Sequence, residues 1–502
     1  MRVMQSKDGP RLLSVDIGTT SAKAVLFRHE SGIDGPEIEP YSTSYPRPGY
    51  VEQDPEEILA AVGRAIRRLV ENTGISPAEI DAIVFDGVWQ SMVPVDHDGM
   101  ALTRASIWSD TRSLQQNERL RKRLDTEEIK RRTGCSLHPM YFLSRLAWMQ
   151  EEAPEVFQRA KRFVSIKEYV IQRLFGVRKV DRSIASGTGL LNMRTLDWDA
   201  DLLSEVDLTP DRFSKCVEPT LVLPGLRRES ASRLGLREGT PGVIGAADGA
   251  HSHLGSVGLS ETRMSLTVGT GAALRMRMTS PGIVPGTEAW CYYLAEGNWL
   301  RGGVLHDAGN TLRWFADTLM PPAEEGEDVF SRMNSLSEEI PVGAEGLCFI
   351  SLLGGERCPH YRPRATGALY GLTFSHTRAH FVRALMEGLA YNLYSVYRML
   401  VTDSEPDLVV TGGILKSPTW LQIVADFFGK TLWLPRTPEA AAWGGVLIGL
   451  RALGSIESLE VSTALVDFAG KRDPDLSRSA LYRDLFGRYE QLYEDLYGAN
   501  RR

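Results

Sequence analysis

The segment LLSVDIGTTSAKAVLF, residues 12–27, gathers an acid, a glycine and three hydroxyls in one short turn: Asp16, Gly18, Thr19, Thr20 and Ser21, with Lys23 just beyond. A tight hairpin needs only Asn-Gly or Asp-Gly, so this turn carries more chemistry than its backbone requires. The amides of a small-residue turn converge into an anion-binding nest, and glycine lets a phosphate come close. A second turn has the same design. SLTVGTGAALRMR, residues 265–277, lays Gly269 on Gly18 and Thr270 on Thr19, with Thr267 where Asp16 stands and Gly271 following. Two such hairpins facing one cleft would hold the phosphates of a nucleotide. The bland alternative is a pair of plain hairpins, with Asp16 closing an Asx turn and Lys23 a solvated strand residue.

Rival phosphate motifs are absent. No GxxxxGK[ST] occurs, and GTGAAL (269–274) and GTGLLN (187–192) both lack the last glycine of GxGxxG. A P-loop enzyme and a Rossmann dehydrogenase are therefore disfavoured. The elements that must position the turns read as follows: a helix over 55–70, a strand over 80–88, a Gly- and Ala-rich crossing over 243–259, and a long amphipathic helix over 378–400. Strand, glycine turn and helix then follow over 407–429, with Ser417 as N-cap and Pro418 as first helical residue. Strands alternate with helices in both halves, which predicts an α/β protein with helix-covered sheets. A chain of 502 residues exceeds one hydrophobic core. The repeated turn suggests a duplicated domain, divided at 11–252 and 253–502, with the site in the cleft between the halves.

Composition narrows the partners. The chain is 43% apolar and 24% charged, with a net charge of -7, which argues against nucleic acid, since phosphate backbones are held by excess Lys and Arg. RLRKRL (119–124) and KRR (130–132) form the one dense basic patch; interleaved acids make it the wet face of a helix. Five cysteines are scattered without CxxC pairing, which predicts a reducing, cytoplasmic setting. The N-terminal MRVMQSKDGPR lacks the apolar core of a signal peptide, and the longest apolar run, AAAWGGVLIGL (440–450), is too short for a bilayer. No membrane partner is expected. The C-terminal stretch 479–502 has helical spacing of Leu, Phe and Tyr, to pack on the body or to form a homodimer contact.

From residue 11 to about 451 the chain resembles the FGGY family of carbohydrate kinases, built on a duplicated actin-like, ribonuclease H-like ATPase fold. VDIGTTSAKAVLF resembles the family's first phosphate hairpin, LTVGTGAAL its second, TGGILKSPTWLQIVADFFG its adenosine turn, and GALYGLTFSHTRAHFVRALMEGLAYN (367–392) its signature turn and helix. Within the family, IWSDTRS (107–113), HPMYFLSRLAWM (138–149), FVSIKEYVIQRLFG (163–176), SIASGTGLLNMRTLDWD (183–199) and the stretch 346–372 are most similar to the gluconokinase subgroup. The resemblance implies ATP with Mg²⁺ and transfer of the γ-phosphoryl group to a primary hydroxyl of a sugar acid such as gluconate. It makes Asp248, in GAADGA, the catalytic base, against the bland reading of a helix N-cap or turn aspartate. It places Asp16 at the metal, and Gly18, Thr19, Thr20 and Ser21 at the γ-phosphate. Gly269, Thr270 and Gly271 fall at the other phosphates, and Gly412 and Gly413 where adenine lies on bare backbone. Trp89, Gln90 and Tyr141 fall at the acceptor beside Asp248.

Some residues depart from the subgroup. Trp89 and Gln90 stand where gluconokinase-like sequences tend to carry Met and His, and His306 and Asp307 where small amides are usual. Asp307 near a carboxylate substrate would be repulsive, which keeps a neutral ketose or polyol such as xylulose or glycerol as the alternative. Arg145 is a candidate partner for an acid, or a surface cation of a helix. A reading from another class is an actin-like nucleotide switch that closes on ATP without a sugar; the Asp248 motif, IWSDTRS and the signature helix stand against it.

Overall fold

The computed structural model describes residues 9–29, 32–322, 326, 328–402, 405–437 and 439–498. Most of the N-terminal segment discussed above, and residues 499–502 of the C-terminal one, lie outside the described residues. The first half is built on β1 (Arg11–Ile17), β2 (Ser21–Arg28), β3 (Gly32–Pro40), β4 (Ala82–Gly87), β5 (Val222–Gly225) and β6 (Pro241–Val243), in the order β5-β6-β4-β1-β2-β3. The second half uses β7 (Arg263–Val268), β8 (Ala272–Met278), β9 (Trp290–Ala295), β10 (Asn298–Leu305), β11 (Asp407–Gly412), β12 (Leu432–Pro435) and β13 (Phe468–Arg472), in the order β9-β10-β8-β7-β11-β12-β13.

The two sheets repeat one plan. Each begins with an antiparallel hairpin whose first strand also takes a parallel neighbour: β1 pairs β2 and β4, and β7 pairs β8 and β11. The duplication seen in two short turns thus extends through both sheets. Asp16 registers with Asp86 in the first, and Thr267 with Thr411 in the second. The central strands are covered on both sides, so apolar runs such as AIVF are buried throughout.

Nine helices frame the site: α1 (Pro55–Thr73), α2 (Phe142–Glu152), α3 (Ile166–Phe175), α4 (Asp248–Val257), α5 (Gly309–Leu319), α6 (Arg378–Leu400), α7 (Pro418–Phe428), α8 (Ala440–Ala452) and α9 (Leu476–Tyr497). Asp54 caps α1 by accepting from the Glu56 amide, and Gly74 ends it in the left-handed region. Ser417 and Pro418 open α7 as the sequence predicts. The tyrosines and phenylalanine of α9 pack inward, Tyr482 on Phe427 and Tyr489 on Tyr391, while Leu476 and Leu481 stay exposed.

Helices α4 and α8 cross between the sheets at backbone contact. A methyl group at Gly255 would stand 1.9 Å from the Ala440 carbonyl oxygen, and one at Gly444 2.0 Å from that of His251. Side chains of α8, Val446, Leu447 and Ile448, share a core with Leu12 of β1 and Val84 of β4. A helix from the second half therefore completes the first sheet, and position 252/253 falls inside α4.

The basic patch is the wet face that the sequence predicts at Arg119, Lys122, Arg123 and Arg131, all exposed, and departs from it at Lys130. It falls on helices Leu114–Arg123 and Thr126–Thr133, where Lys130 is buried and donates to the carbonyls of Val284, at 2.9 Å, and Thr287. Arg132 pairs with Asp199 and Asp201. Among the described residues, no helix is long and apolar enough to cross a membrane.

Candidate active site

The first turn is fixed by its own backbone and by its neighbours. Gly18 donates to the Ser21 carbonyl at 3.1 Å, the Tyr41 hydroxyl donates to the Gly18 carbonyl, and Gln53 donates to that of Thr19. Trp108 Nε1 reaches Thr19 Oγ1 at 3.3 Å, and its ring lies 6.3 Å from that of His306 in the second half. Thr20 is exposed and Ser21 opens β2. In the second turn, Gly269 donates to the Gly271 carbonyl at 2.8 Å, while the carbonyls of Gly269 and Thr270 accept from Gly309 and Asn310 at the start of α5. Gly412 has φ 91°, and a methyl there would meet the Val268 carbonyl oxygen at 2.4 Å. With Gly413 it lies at the carboxyl end of β11, next to the turn leaving β7.

Two acids face each other below the first turn. Asp16 and Asp86 occupy paired positions on β1 and β4, and each keeps its Oδ1 buried without a hydrogen-bond donor. Burial, and then the neighbouring carboxylate, hold Asp16 well above the usual carboxylate range, and burial pushes Asp86 up to about 7. His251 Nε2 accepts the Ala246 amide at 2.9 Å, which leaves its proton on Nδ1, donated to Asp86 Oδ2 at 3.0 Å. Burial lowers this imidazole to about 3, so it is neutral. Lys23, across from Asp16 in the hairpin, pairs with Glu439 at 3.2 Å.

Asp248 opens α4, and the loop before it is strapped in place. Lys167, buried and paired with Asp181 at 2.9 Å, donates to the Ala246 carbonyl at 2.7 Å. The Ala247 amide donates to Ser183 Oγ at 3.2 Å. At Gly245, φ 69°, a methyl would stand 1.7 Å from the Phe85 carbonyl oxygen, so only glycine fits. Burial and then the charge of Asp16 raise Asp248 to about 6, countered by Arg275. Arg275 is half-buried, with its Nε out of contact with solvent and lacking a partner.

Trp89, Gln90 and Tyr141 join aromatic residues of the second half. Trp89 donates to the Ser183 carbonyl at 2.9 Å, lies 5.0 Å from Tyr292 and 5.7 Å from Trp290, and occupies the space beside Gly249. Gln90 is held at φ 57°, a strained conformation for a residue with a side chain. Its Nε2 donates to Tyr292 Oη at 3.1 Å, and Tyr292 Oη lies 2.6 Å from Tyr141 Oη. Arg357, also buried, lies within hydrogen-bonding reach of Tyr292.

Two sequence expectations change. Arg145 is neither a surface cation nor a group facing the acceptor. It is 1% exposed and spends its guanidinium on the carbonyls of Gln90, at 2.6 Å, Ser106 and Ile107, so it holds the strained Gln90 turn. Asp307 is buried and accepts the Gly354 amide with both oxygens at 3.1 Å; it anchors the loop that leads to Arg357. Sequence reasoning missed Asp86, His251, Arg275, Tyr292 and Arg357. An acid inside the apolar run AIVFDG was the available signal for the first of these.

Comparison with known proteins places this geometry. Residues 11–255 match the FGGY family of carbohydrate kinases, N-terminal domain, and residues 264–453 its C-terminal domain. The gluconokinase of Bacillus licheniformis is 33% identical, the alignment covering 94% of this chain and 94% of that protein. The xylulose kinase of Bacillus subtilis is 28% identical over 96% of each. The crystal structure of gluconate kinase from Lactobacillus acidophilus superposes with a TM-score of 0.92 at 28% identity, covering 98% of this chain and 99% of that one. The paired hairpins and the crossing helices are those of actin-like ATPase architecture, and the chain belongs to the FGGY family of carbohydrate kinases.

Proposed function

We propose that this kinase transfers the γ-phosphoryl group of ATP to the terminal hydroxyl of gluconate or a close sugar acid. The single observation carrying the chemistry is Asp248, a half-buried acid raised to about 6 at the end of a loop strapped by Lys167, His251 and Ser183. The relatives named gluconokinase support the acid as substrate. Asp248 takes the hydroxyl proton as the acceptor oxygen bonds to the γ-phosphorus; the bond from that phosphorus to the β–γ bridging oxygen breaks, and ADP leaves. A loose transition state asks the protein mainly to position groups and neutralise charge. Gly18, Thr19, Thr20 and Ser21 meet the γ-phosphate in this reading. Gly269, Thr270 and Gly271 meet the other phosphates, Gly412 and Gly413 the adenosine, and Trp89, Gln90 and Tyr141 the acceptor.

The acids fit Mg²⁺. Asp16 and Asp86 offer two buried carboxylate oxygens without donors, and among the described residues no group of three or more ligating side chains occurs. That suits an ion that keeps several waters and takes phosphate oxygens. Bound there, it would neutralise charge on the phosphates. We also read the enzyme as cytoplasmic, in keeping with five unpaired cysteines.

ADP release is to be followed with gluconate, xylulose and glycerol as acceptors. Gluconate is expected to give the highest kcat/KM; a higher value with xylulose or glycerol would overturn the substrate. The neutral amide of Gln90 and the similarity to xylulose kinase favour xylulose as the second reading. Because the base must be ionised, kcat/KM is expected to hold above pH 6 and fall below it. Asp16 raises the Asp248 value and Arg275 lowers it, so a cation bound at Asp16 moves the acid limb to lower pH. A pH profile at two Mg²⁺ concentrations reads this directly.

A further inference from the structure

The buried cations of this protein are nearly all accounted for. Lys167 has Asp181, Arg383 has Glu387 at 2.7 Å, Lys130 and Arg145 have carbonyls, and Arg275 faces Asp248. Arg301 has only the Leu400 carbonyl, at 3.4 Å, and Arg357 stands apart from all of these. It is 8% exposed, and among the described residues it forms no ion pair. The acid whose charge reaches it, Glu288, lies 4.0 Å from Arg121. The other groups that feel its charge are neutral: Tyr141, Tyr292, Cys358, His138 and His306. A buried guanidinium without a counter-ion is costly, and its planar fork matches a carboxylate with two parallel hydrogen bonds.

We propose that Arg357 binds the carboxylate of the acceptor, holding the acid end of the sugar while its far terminal hydroxyl meets Asp248. This rests on the sugar-acid reading above and names the residue that enforces it. Tyr292 links the two ends. It adjoins Arg357 and Tyr141 at one side, and its ring lies beside Trp89, which packs against Gly249, the neighbour of Asp248. Gln90 donates to the same Tyr292 Oη. Asp307 serves this site from behind, since its hold on the Gly354 amide fixes the loop on which Arg357 is carried. The acid that the sequence sets against a carboxylate substrate thus supports the group that would bind one.

Gluconamide, in which a neutral amide replaces the carboxylate, is the discriminating probe. The parent enzyme is expected to favour gluconate over gluconamide in kcat/KM. Arg357→Gln is expected to shrink that preference on the order of 10²-fold, mostly through KM for gluconate, with gluconamide turnover largely kept. Arg357→Lys, which keeps the charge and loses the fork, is expected to fall between, and it serves as the test should the glutamine variant not fold. A parent enzyme that phosphorylates gluconate, with the gluconate to gluconamide ratio unchanged in the folded variants, would overturn the role of Arg357. A parent enzyme that ignores gluconate and phosphorylates xylulose would instead overturn the sugar-acid reading itself.

Discussion

Asp248→Asn is expected to lower kcat by roughly 10² to 10⁴-fold, the range for loss of a positioned general base. The substitution keeps shape and volume. The straps on the preceding loop come from Lys167, His251 and Ser183 to the backbone of Ala246 and Ala247, so the loop should stay in place. ATP affinity is expected to be unchanged, because the phosphate turns are built from other residues. The profile near pH 6 should disappear with the carboxylate. Near-normal kcat in a folded Asp248→Asn enzyme would move the base elsewhere and return Asp248 to a plain turn residue at the start of α4.

Asp16→Asn should separate activity from stability. Asp16 and Asp86 sit at paired positions of β1 and β4, each with an Oδ1 that has no donor, and burial with the neighbouring carboxylate holds Asp16 well above the usual carboxylate range, so a neutral amide in its place relieves the metal-free protein. Its melting temperature is expected to rise, as often happens when a strained functional group is neutralised. Turnover is expected to drop about 10²-fold or more at low Mg²⁺ and to recover in part as Mg²⁺ is raised. The Asp248→Asn defect should not respond to Mg²⁺. A thermal melt without metal and a Mg²⁺ titration of kcat check both signs, and a variant that is less stable yet fully active would remove Asp16 from the metal site.

Local signals were legible where chemistry and backbone share neighbouring residues. Both hairpins, the helix over 378–400 and the Ser417–Pro418 start of α7 are written in consecutive residues. Pairings that depend on strand register were not. Asp86 becomes a site residue because parallel pairing sets it beside Asp16, and His251 because α4 turns it toward Asp86. Spacing along the chain contains neither fact. The same holds for buried cations: Arg145 and Lys130 look like surface charges in sequence, and only the fold shows that they satisfy carbonyls. Asp307 was judged by its charge alone, whereas its partner is a backbone amide.

The crossing of α4 and α8 also governs how this chain can be made. Strands β1 and β4 leave the ribosome long before the helix that roofs them, with Val446, Leu447 and Ile448 against Leu12 and Val84. Nascent chains that end before residue 440 must carry that apolar face open to solvent and to chaperones. Folding of the first half is therefore completed only after most of the second has been synthesised, so stalled or truncated chains are expected to bind an apolar dye strongly where the finished protein does not.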